Sequence, residues 1–243
     1  MGKGSWSRAG GFLDRVWGLL WPNRVVLGII IGVYLVLILV SFLLAKPKKP
    51  LPPMDVVFVF DTTGSMSDEI AGMIRVATDF AFVLKSNNVE CRIGVVTFGA
   101  VEEPQVIRGV QDLTHDVDQI KQFLRAQNAL GGGDEDQIKA LHYAFTDLKN
   151  YRSGVEKTFI LITDEKHTRR SKASMSFDQI VGLLADENAH TTVYVVADPA
   201  QDGADYKRLA RMTGGKFYDI HGSVPFTDII AQIAKDIVQS IMR

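Results

Sequence analysis

Long apolar runs and amphipathic stretches alternate along most of the chain. The first apolar run, residues 25–45, contains no charged side chain. A helix rises about 1.5 Å per residue, so one of this length crosses the roughly 30 Å hydrocarbon core of a bilayer. The run is longer than the roughly 7–15 apolar residues of a signal peptide. The pattern predicts a single transmembrane helix, with a buried core helix as the alternative.

Basic residues flank this apolar run on both sides. Residues 1–24 form a basic, amphipathic tail, and residues 46–53 form a linker rich in proline and lysine. Prolines favour an extended, stiff spacer. The basic residues are balanced between the two flanks, but a basic N-terminal flank usually stays in the cytoplasm. We predict a single-pass membrane protein with a cytoplasmic N-terminus and one extracytoplasmic domain, residues 54–243.

The alternating apolar and amphipathic stretches of residues 54–243 predict the fold of this domain. Runs of Val, Ile and Phe bounded by turn residues indicate strands buried on both faces. Their alternation with helices predicts a Rossmann-like α/β fold, with a mostly parallel central sheet and helices on both faces. The predicted strands are 55–60, 92–98, 158–163, 191–197 and 216–220, and the predicted helices are 68–85, 115–127, 135–150, 176–189, 204–212 and 225–242.

Composition and charge narrow the possible functions. With 47% hydrophobic residues and 27 basic against 28 acidic side chains, the chain is typical of a globular protein. Residues 1–49 hold seven of the basic side chains and only one acidic side chain, so the rest of the chain has 20 basic against 27 acidic side chains and is poorly suited to nucleic acid. The single cysteine, Cys91, excludes an intrachain disulfide and a cysteine-based metal cluster.

Polar side chains gather on three loops of the predicted domain. Asp61, Thr63 and Ser65 follow the first strand, Asp134 lies in a glycine-rich loop, and Asp164 follows the strand at 158–163. Ligands of open parallel sheets bind beyond the carboxyl ends of the strands. Carboxylates and hydroxyls without His or Cys suit Mg²⁺, Mn²⁺ or Ca²⁺. We predict a divalent-cation site, although each aspartate alone is also compatible with a helix N-cap.

Several segments of the domain resemble the von Willebrand factor type A family. The segment FVFDTTGSMSDEI resembles the motif that opens the family's metal-ion-dependent adhesion site. Similar matches are RIGVVTFG, GGGDED, TFILITDE and LARMTGGKFYDI. The resemblance assigns Asp61, Thr63, Ser65 and Asp164 as metal ligands, with Mg²⁺ as the first choice of ion. Asp134 lies in or beside the position where the family carries a threonine.

The resemblance implies a function in protein recognition. The metal would leave one coordination position for an acidic side chain of another protein, in adhesion, scaffolding or complex assembly. Neither enzymatic activity nor a small-molecule cofactor is expected. Glu165, His167 and Arg169 are predicted to form a rim that contacts the partner, with a solvated loop as the alternative.

Two other functions remain open at this stage. The domain is alternatively a metal-independent scaffold with a degenerate site. A metal-dependent phosphohydrolase is the less favoured alternative. Aspartyl-phosphate phosphatases need a second aspartate two positions after the first, and this chain has Thr63 there.

Overall fold

The computed structural model describes residues 24–44 and 51–242. The first of these stretches is a single helix, α1 (Arg24–Leu44), at the position of the predicted apolar helix. Side chains are described for its residues 28–40. Searched over the described residues alone, the chain shows no helix long and apolar enough to cross a membrane.

The chain divides into two compact units, Met1–Lys48 and Lys49–Arg243. The predicted tail up to residue 23 and the linker residues 46–50 lie outside the described residues. The last three residues of the predicted linker, 51–53, begin the first strand of the second unit.

The second unit alternates strands with helices, as the apolar pattern predicts. Short 3₁₀ turns follow the first strand and precede the fifth. The strands are β1 (Leu51–Asp61), β2 (Val89–Phe98), β3 (Ile107–Thr114), β4 (Glu156–Thr163), β5 (Thr191–Ala197) and β6 (Phe217–Asp219), and the helices are α2 (Ser67–Ser86), α3 (Val117–Arg125), α4 (Gln137–Thr146), α5 (Phe177–Leu184), α6 (Gly203–Met212) and α7 (Phe226–Ile241).

The six strands form one sheet in the order β3-β2-β1-β4-β5-β6. All neighbouring pairs are parallel except β2 and β3. The strand order reverses beside β1, which has β2 on one side and β4 on the other. In open sheets of this type, the crevice beyond the carboxyl ends of such strands binds ligands. The central strand therefore delivers its last residues to the predicted site.

The core lies on both faces of the sheet, because side chains alternate along a strand. Phe58 and Phe60 of β1 belong to the cluster that includes residues of α2 and α7. Val57 and Val59 belong to the cluster that includes residues of α4, α5 and α6. None of these four side chains is exposed. Burial of each such side chain contributes about 1.5–3 kcal/mol, so both layers of helices hold β1 in place.

One strand is missing from the sequence-based expectation. β3 pairs antiparallel with β2 at the edge of the sheet, and most of its residues are only half buried. Its sequence, IRGVQDLT, mixes charged and apolar residues and has no continuous apolar run. An edge strand of this kind gives a weak hydrophobic pattern, because its half-buried positions accept polar as well as apolar residues.

A buried ion-pair cluster fixes the start of the central strand. Asp55 of β1 is fully buried and accepts hydrogen bonds from Arg92 Nε at 3.1 Å and Arg152 Nε at 3.0 Å. The backbone N–H of Arg152 donates to the same carboxylate at 2.9 Å. Burial alone would raise the pKa of Asp55, but the hydrogen bonds from Arg92 and Arg152 lower it below its ordinary value.

We expect Asp55→Ala to destabilise the domain by about 3–5 kcal/mol, because it leaves two partly buried arginines without their shared carboxylate. Urea unfolding of the full chain in detergent measures this change. The matched control is Glu90→Ala, which removes the exposed carboxylate that pairs with Arg152 and should cost less than about 1 kcal/mol. Equal losses in the two variants would contradict the structural role of Asp55.

Candidate metal centre

Asp61, the last residue of β1, lies at the centre of the site. Its side chain is fully buried. Oδ1 accepts hydrogen bonds from the backbone N–H of Thr63 at 2.9 Å and from Thr63 Oγ1 at 2.8 Å. Oδ2 accepts one from Thr163 Oγ1 on the neighbouring strand β4 at 2.8 Å. Hydroxyls and a backbone amide therefore orient both carboxylate oxygens.

The turn after Asp61 is bound to the glycine-rich loop. The backbone N–H of Gly64 donates to the Gly131 carbonyl at 3.0 Å, and that of Leu130 donates to the Thr62 carbonyl at 3.2 Å. A Cβ at position 64 would lie 3.1 Å from the Gly131 carbonyl oxygen, so this close approach favours glycine. The next residue, Ser65, is exposed in the 3₁₀ turn. The Ser65 hydroxyl therefore lies in a turn that these two backbone hydrogen bonds fix against the glycine-rich loop.

An arginine of the edge strand holds the same two loops. Arg108 of β3 donates to the Thr62 carbonyl and to the Leu130 carbonyl at 2.7 Å. Its guanidinium also pairs with Glu103. The strand that the sequence pattern does not predict therefore supplies the cation that joins the turn after Asp61 to the glycine-rich loop.

Asp164 directly follows Thr163, the last residue of β4, whose hydroxyl donates to Asp61. The charge of Asp164 contributes to the raised pKa of Asp61. Asp164 Oδ1 is buried and has no hydrogen-bond partner among the described residues. A buried carboxylate oxygen without a donor is costly, and it marks a position where a cation or a ligand would be favourable.

The glycine-rich loop presents two adjacent carboxylates in opposite directions. Asp134, the predicted ligand, is half buried and pairs with Arg170 at 3.1 Å. Arg170 also pairs with Glu102 at 2.6 Å. The next residue, Glu135, is only 2% exposed, and it accepts a hydrogen bond from the backbone N–H of Gly133 at 2.9 Å. Asp134 thus pairs with an exposed arginine, whereas Glu135 is buried and its pKa responds to the charge of Asp61.

Burial and like charges raise the pKa values of the two innermost carboxyl groups. Burial raises the pKa of Asp61 to about 6, despite the hydrogen bonds from Thr63 and Thr163, and the charge of Asp164 adds to the rise. Burial likewise raises the pKa of Glu135 to about 7, and the charges of Asp61 and Glu165 add to it. The charge of Asp61 thus opposes ionisation of Glu135, and the charge of Asp164 opposes ionisation of Asp61.

These residues fit a hard divalent cation. The donors are carboxylates and hydroxyls, which Mg²⁺, Mn²⁺ and Ca²⁺ prefer. A cation would neutralise Asp61 and Glu135 and give the orphaned oxygen of Asp164 a partner. Thr63 and Ser65 carry the hydroxyls of the same set. The described residues that surround Asp61 offer it hydrogen-bond donors rather than a side-chain cation.

The three predicted rim residues differ in exposure. Glu165 is half buried and Arg169 is exposed. His167 is 1% exposed and lies 2.9 Å from Asp205 of α6. In this structure His167 contacts its own domain, whereas Glu165 and Arg169 reach the surface.

Sequence reasoning misses three polar residues at the site: Glu135, Thr163 and Gln137. Thr163 ends β4 beside Asp61, and Gln137 Nε2 donates to Thr163 Oγ1 at 3.3 Å. Gln137 Oε1 is buried without a partner among the described residues. A signal for Glu135 is present, because the loop carries three acidic residues in a row after its glycines. Only the structure shows that Asp134 is half buried, that Glu135 is buried, and that the buried Asp136 caps the N-terminus of α4.

Comparison with a family model matches residues 55–231 to the von Willebrand factor type A domain. Three solved structures are similar in fold. A pilus adhesin, SpaC from Lactobacillus rhamnosus GG, is 12% identical over 81% of this chain and 31% of its own, with a TM-score of 0.58. Proximal thread matrix protein 1 from the mussel byssus is 17% identical over 80% of this chain and 47% of its own, with a TM-score of 0.53.

The third structure is an aerotolerance-related membrane protein from Bacteroides fragilis NCTC 9343. It is 12% identical over 77% of this chain and 99% of its own, with a TM-score of 0.54. This chain therefore spans less than half of the adhesin and of the thread protein, but nearly all of the third. Comparison with curated protein sequences gives no match. At these identities the three structures establish the fold.

We expect the stability of the metal-free protein to report the proton on Glu135. Its pKa is about 7 in the folded state but about 4.3 in an unfolded chain. The folded state thus binds more protons between these values, and its unfolding free energy falls as pH rises through this window. Glu135→Gln lacks this loss, so it should gain about 1–3 kcal/mol on the wild type between pH 4.5 and pH 7.5.

Denaturant unfolding with a chelator present, repeated across this pH range, measures the difference. Asp134→Asn is the matched control, because it changes the adjacent carboxylate, which is paired with Arg170. The wild-type and Asp134→Asn profiles should be parallel. A constant difference between Glu135→Gln and the wild type would show that Glu135 ionises normally.

Proposed function

The chain belongs to the von Willebrand factor type A domain family, and we propose that it is a membrane-anchored protein that binds another protein through a divalent cation. The observation that carries this proposal is the group of carboxylates at the carboxyl end of β1 and β4. Two of them have raised pKa values, and a third has a buried oxygen without a donor. This arrangement is unfavourable alone and favourable around a cation.

Asp61, Thr63, Ser65, Glu135 and Asp164 are the proposed ligands, with Mg²⁺ as the first choice of ion and Mn²⁺ or Ca²⁺ as alternatives. Glu135 takes the place that the sequence assigns to Asp134, since the Asp134 carboxylate is paired with Arg170. Once bound, the ion supplies a positive centre for an anionic oxygen. The protein's own groups orient Asp61 through Thr63 and Thr163.

The partner is proposed to be a protein that presents an acidic side chain. Ser65 and the neighbouring Gly64 are exposed, so the site opens to the surface at this turn. Arg169 and Arg170 are exposed on the loop that follows β4 and Asp164 and would attract an acidic partner over a distance of about one Debye length, roughly 8–10 Å. Glu165 and Arg169 keep their predicted place in the rim that the partner contacts.

The proposed role is recognition rather than catalysis. The position that would carry a general acid in a phosphatase is Thr63, and both its hydroxyl and its backbone N–H donate to Asp61. Residues 25–45 are proposed as the membrane anchor, with the N-terminus cytoplasmic and the domain extracytoplasmic. Anchoring would hold the partner at the membrane surface.

We expect partner capture to require both the cation and Asp61. The full chain is purified in detergent, immobilised, and incubated with membrane extract from its own source in Mg²⁺ or in chelator. A specific partner should bind the wild type in Mg²⁺, leave on chelation, and fail to bind Asp61→Ala. Asp79→Ala is the matched control, because it removes an exposed aspartate of α2.

Thermal unfolding distinguishes loss of binding from loss of folding. A cation at 100 times its dissociation constant stabilises the folded state by about 2.7 kcal/mol, which raises the melting temperature of a domain this size by several degrees. Wild type and Asp79→Ala should show this shift in Mg²⁺ or Mn²⁺, and Asp61→Ala should remain folded without it. Partner binding that survives in Asp61→Ala and in chelator would favour the metal-independent scaffold.

A further inference from the structure

A second group of potential metal ligands lies between the loop after β4 and the start of α6. His167, Asp202 and Asp205 each offer one ligand atom, and these atoms all lie within 4.8 Å of one another. His167 is separated from the two aspartates by at least 35 positions in the sequence, so no short motif reveals the group. None of them belongs to the carboxylate group around Asp61.

The imidazole ring of His167 is held in a fixed orientation. It stacks on Phe177 of α5 with the ring centroids 4.2 Å apart and an interplanar angle of 17°. Nδ1 lies 3.4 Å from the Thr168 carbonyl oxygen. A carbonyl only accepts hydrogen bonds, so Nδ1 carries the proton in this contact. A histidine held by a backbone carbonyl in this way presents Nε2 as the metal-binding atom in many metal sites.

The contacts at Nε2 are chemically incompatible with one another. Nε2 lies 2.9 Å from Asp205 Oδ2 and 3.2 Å from Arg169 Nη1. A guanidinium only donates, so the Arg169 contact requires a bare nitrogen, whereas a carboxylate only accepts, so the Asp205 contact requires a proton on the same nitrogen. Neither protonation state satisfies both neighbours.

A metal ion would remove this conflict. It would accept the lone pair of Nε2 and neutralise both carboxylates. Nε2 is 2.9 Å from Asp205 Oδ2 and 3.4 Å from Asp202 Oδ2. In a tetrahedral site with bonds of about 2.0–2.2 Å, neighbouring ligand atoms are roughly 3.3–3.5 Å apart. Small side-chain rotations would therefore complete the geometry.

Arg169 now provides the positive charge beside Asp202, and Arg208 Nη2 lies 3.4 Å from Asp205 Oδ1 on the other side of the cluster. The Arg169 guanidinium contacts His167 Nε2 and lies 3.4 Å from Asp202 Oδ2. The Arg169 side chain is 70% exposed, so it can move into solvent when a metal ion replaces it. Helix capping does not account for Asp202, because its side chain makes no capping hydrogen bond to α6.

We propose that His167, Asp202 and Asp205 form a second metal site, selective for Zn²⁺ or a similar late transition-metal ion. One imidazole nitrogen and two carboxylate oxygens suit Zn²⁺ better than Mg²⁺ or Ca²⁺, which prefer oxygen alone. Water or an external ligand completes the coordination. The bound ion would join the start of α6 to the loop after β4, which also carries Asp164. Tyr206 of α6 already contacts this loop, because its hydroxyl donates to the Glu165 carbonyl at 2.8 Å.

Calorimetric titration of Zn²⁺ into the full chain tests this site, in detergent and in saturating Mg²⁺ with any histidine tag removed. We expect one Zn²⁺ ion per chain. Asp205→Asn should weaken binding at least tenfold, and Arg169→Ala should strengthen it, because the competing cation is gone. Asp61→Ala should leave Zn²⁺ binding unchanged, which separates this site from the proposed Mg²⁺ site.

Arg170→Ala is the matched control for Arg169→Ala, since Arg170 pairs with Glu102 and Asp134 instead. It should leave Zn²⁺ affinity unchanged. Substitution of Co²⁺ gives an independent readout, because its visible absorption should change between wild type and His167→Gln. Absence of Zn²⁺ binding, binding unaffected by Asp205→Asn, or weaker binding in Arg169→Ala would each overturn the proposal.

Discussion

The structure depends on how the central strand accommodates two fully buried aspartates, one near each end. Asp55 at the start of β1 has two arginines as partners, and the net effect lowers its pKa. Asp61 at the end of β1 receives only neutral donors, and its pKa is raised to about 6. An isolated ionised carboxylate is among the most unfavourable groups to bury. The same strand therefore pairs one carboxylate with arginines and gives the other only hydroxyl and amide donors among the described residues.

The surroundings of Asp61 strengthen this contrast. The charge of Asp164 acts on Asp61 and that of Asp61 acts on Glu135, while the arginines that contact the surrounding loops serve other groups. Arg108 binds backbone carbonyls and Glu103, and Arg170 binds Asp134 and Glu102. The fold thus uses its cations to position the loops around the carboxylates.

The sequence predicts the parts of this architecture that have strong local patterns. Four buried strands, the short and only partly buried strand β6, and the turn carrying Asp61, Thr63 and Ser65 follow from apolar runs and from the residues after them. β3 escapes prediction because an edge strand needs little apolar surface. The sequence also does not predict which of Asp134 and Glu135 is buried. Three consecutive glycines with positive φ, Gly131, Gly132 and Gly133, set the direction of this loop. The pairing of His167 with Asp202 and Asp205 depends on tertiary structure alone.

The most direct test of the account is anomalous X-ray scattering from crystals of the chain grown in saturating Mn²⁺. The account predicts a manganese peak among the side chains of Asp61, Thr63, Ser65, Glu135 and Asp164, with Asp134 still paired with Arg170. This result would establish that the buried charge at the end of β1 is neutralised by a bound cation. The absence of a peak at this position, or a peak held by Asp134 with Glu135 turned away, would contradict it.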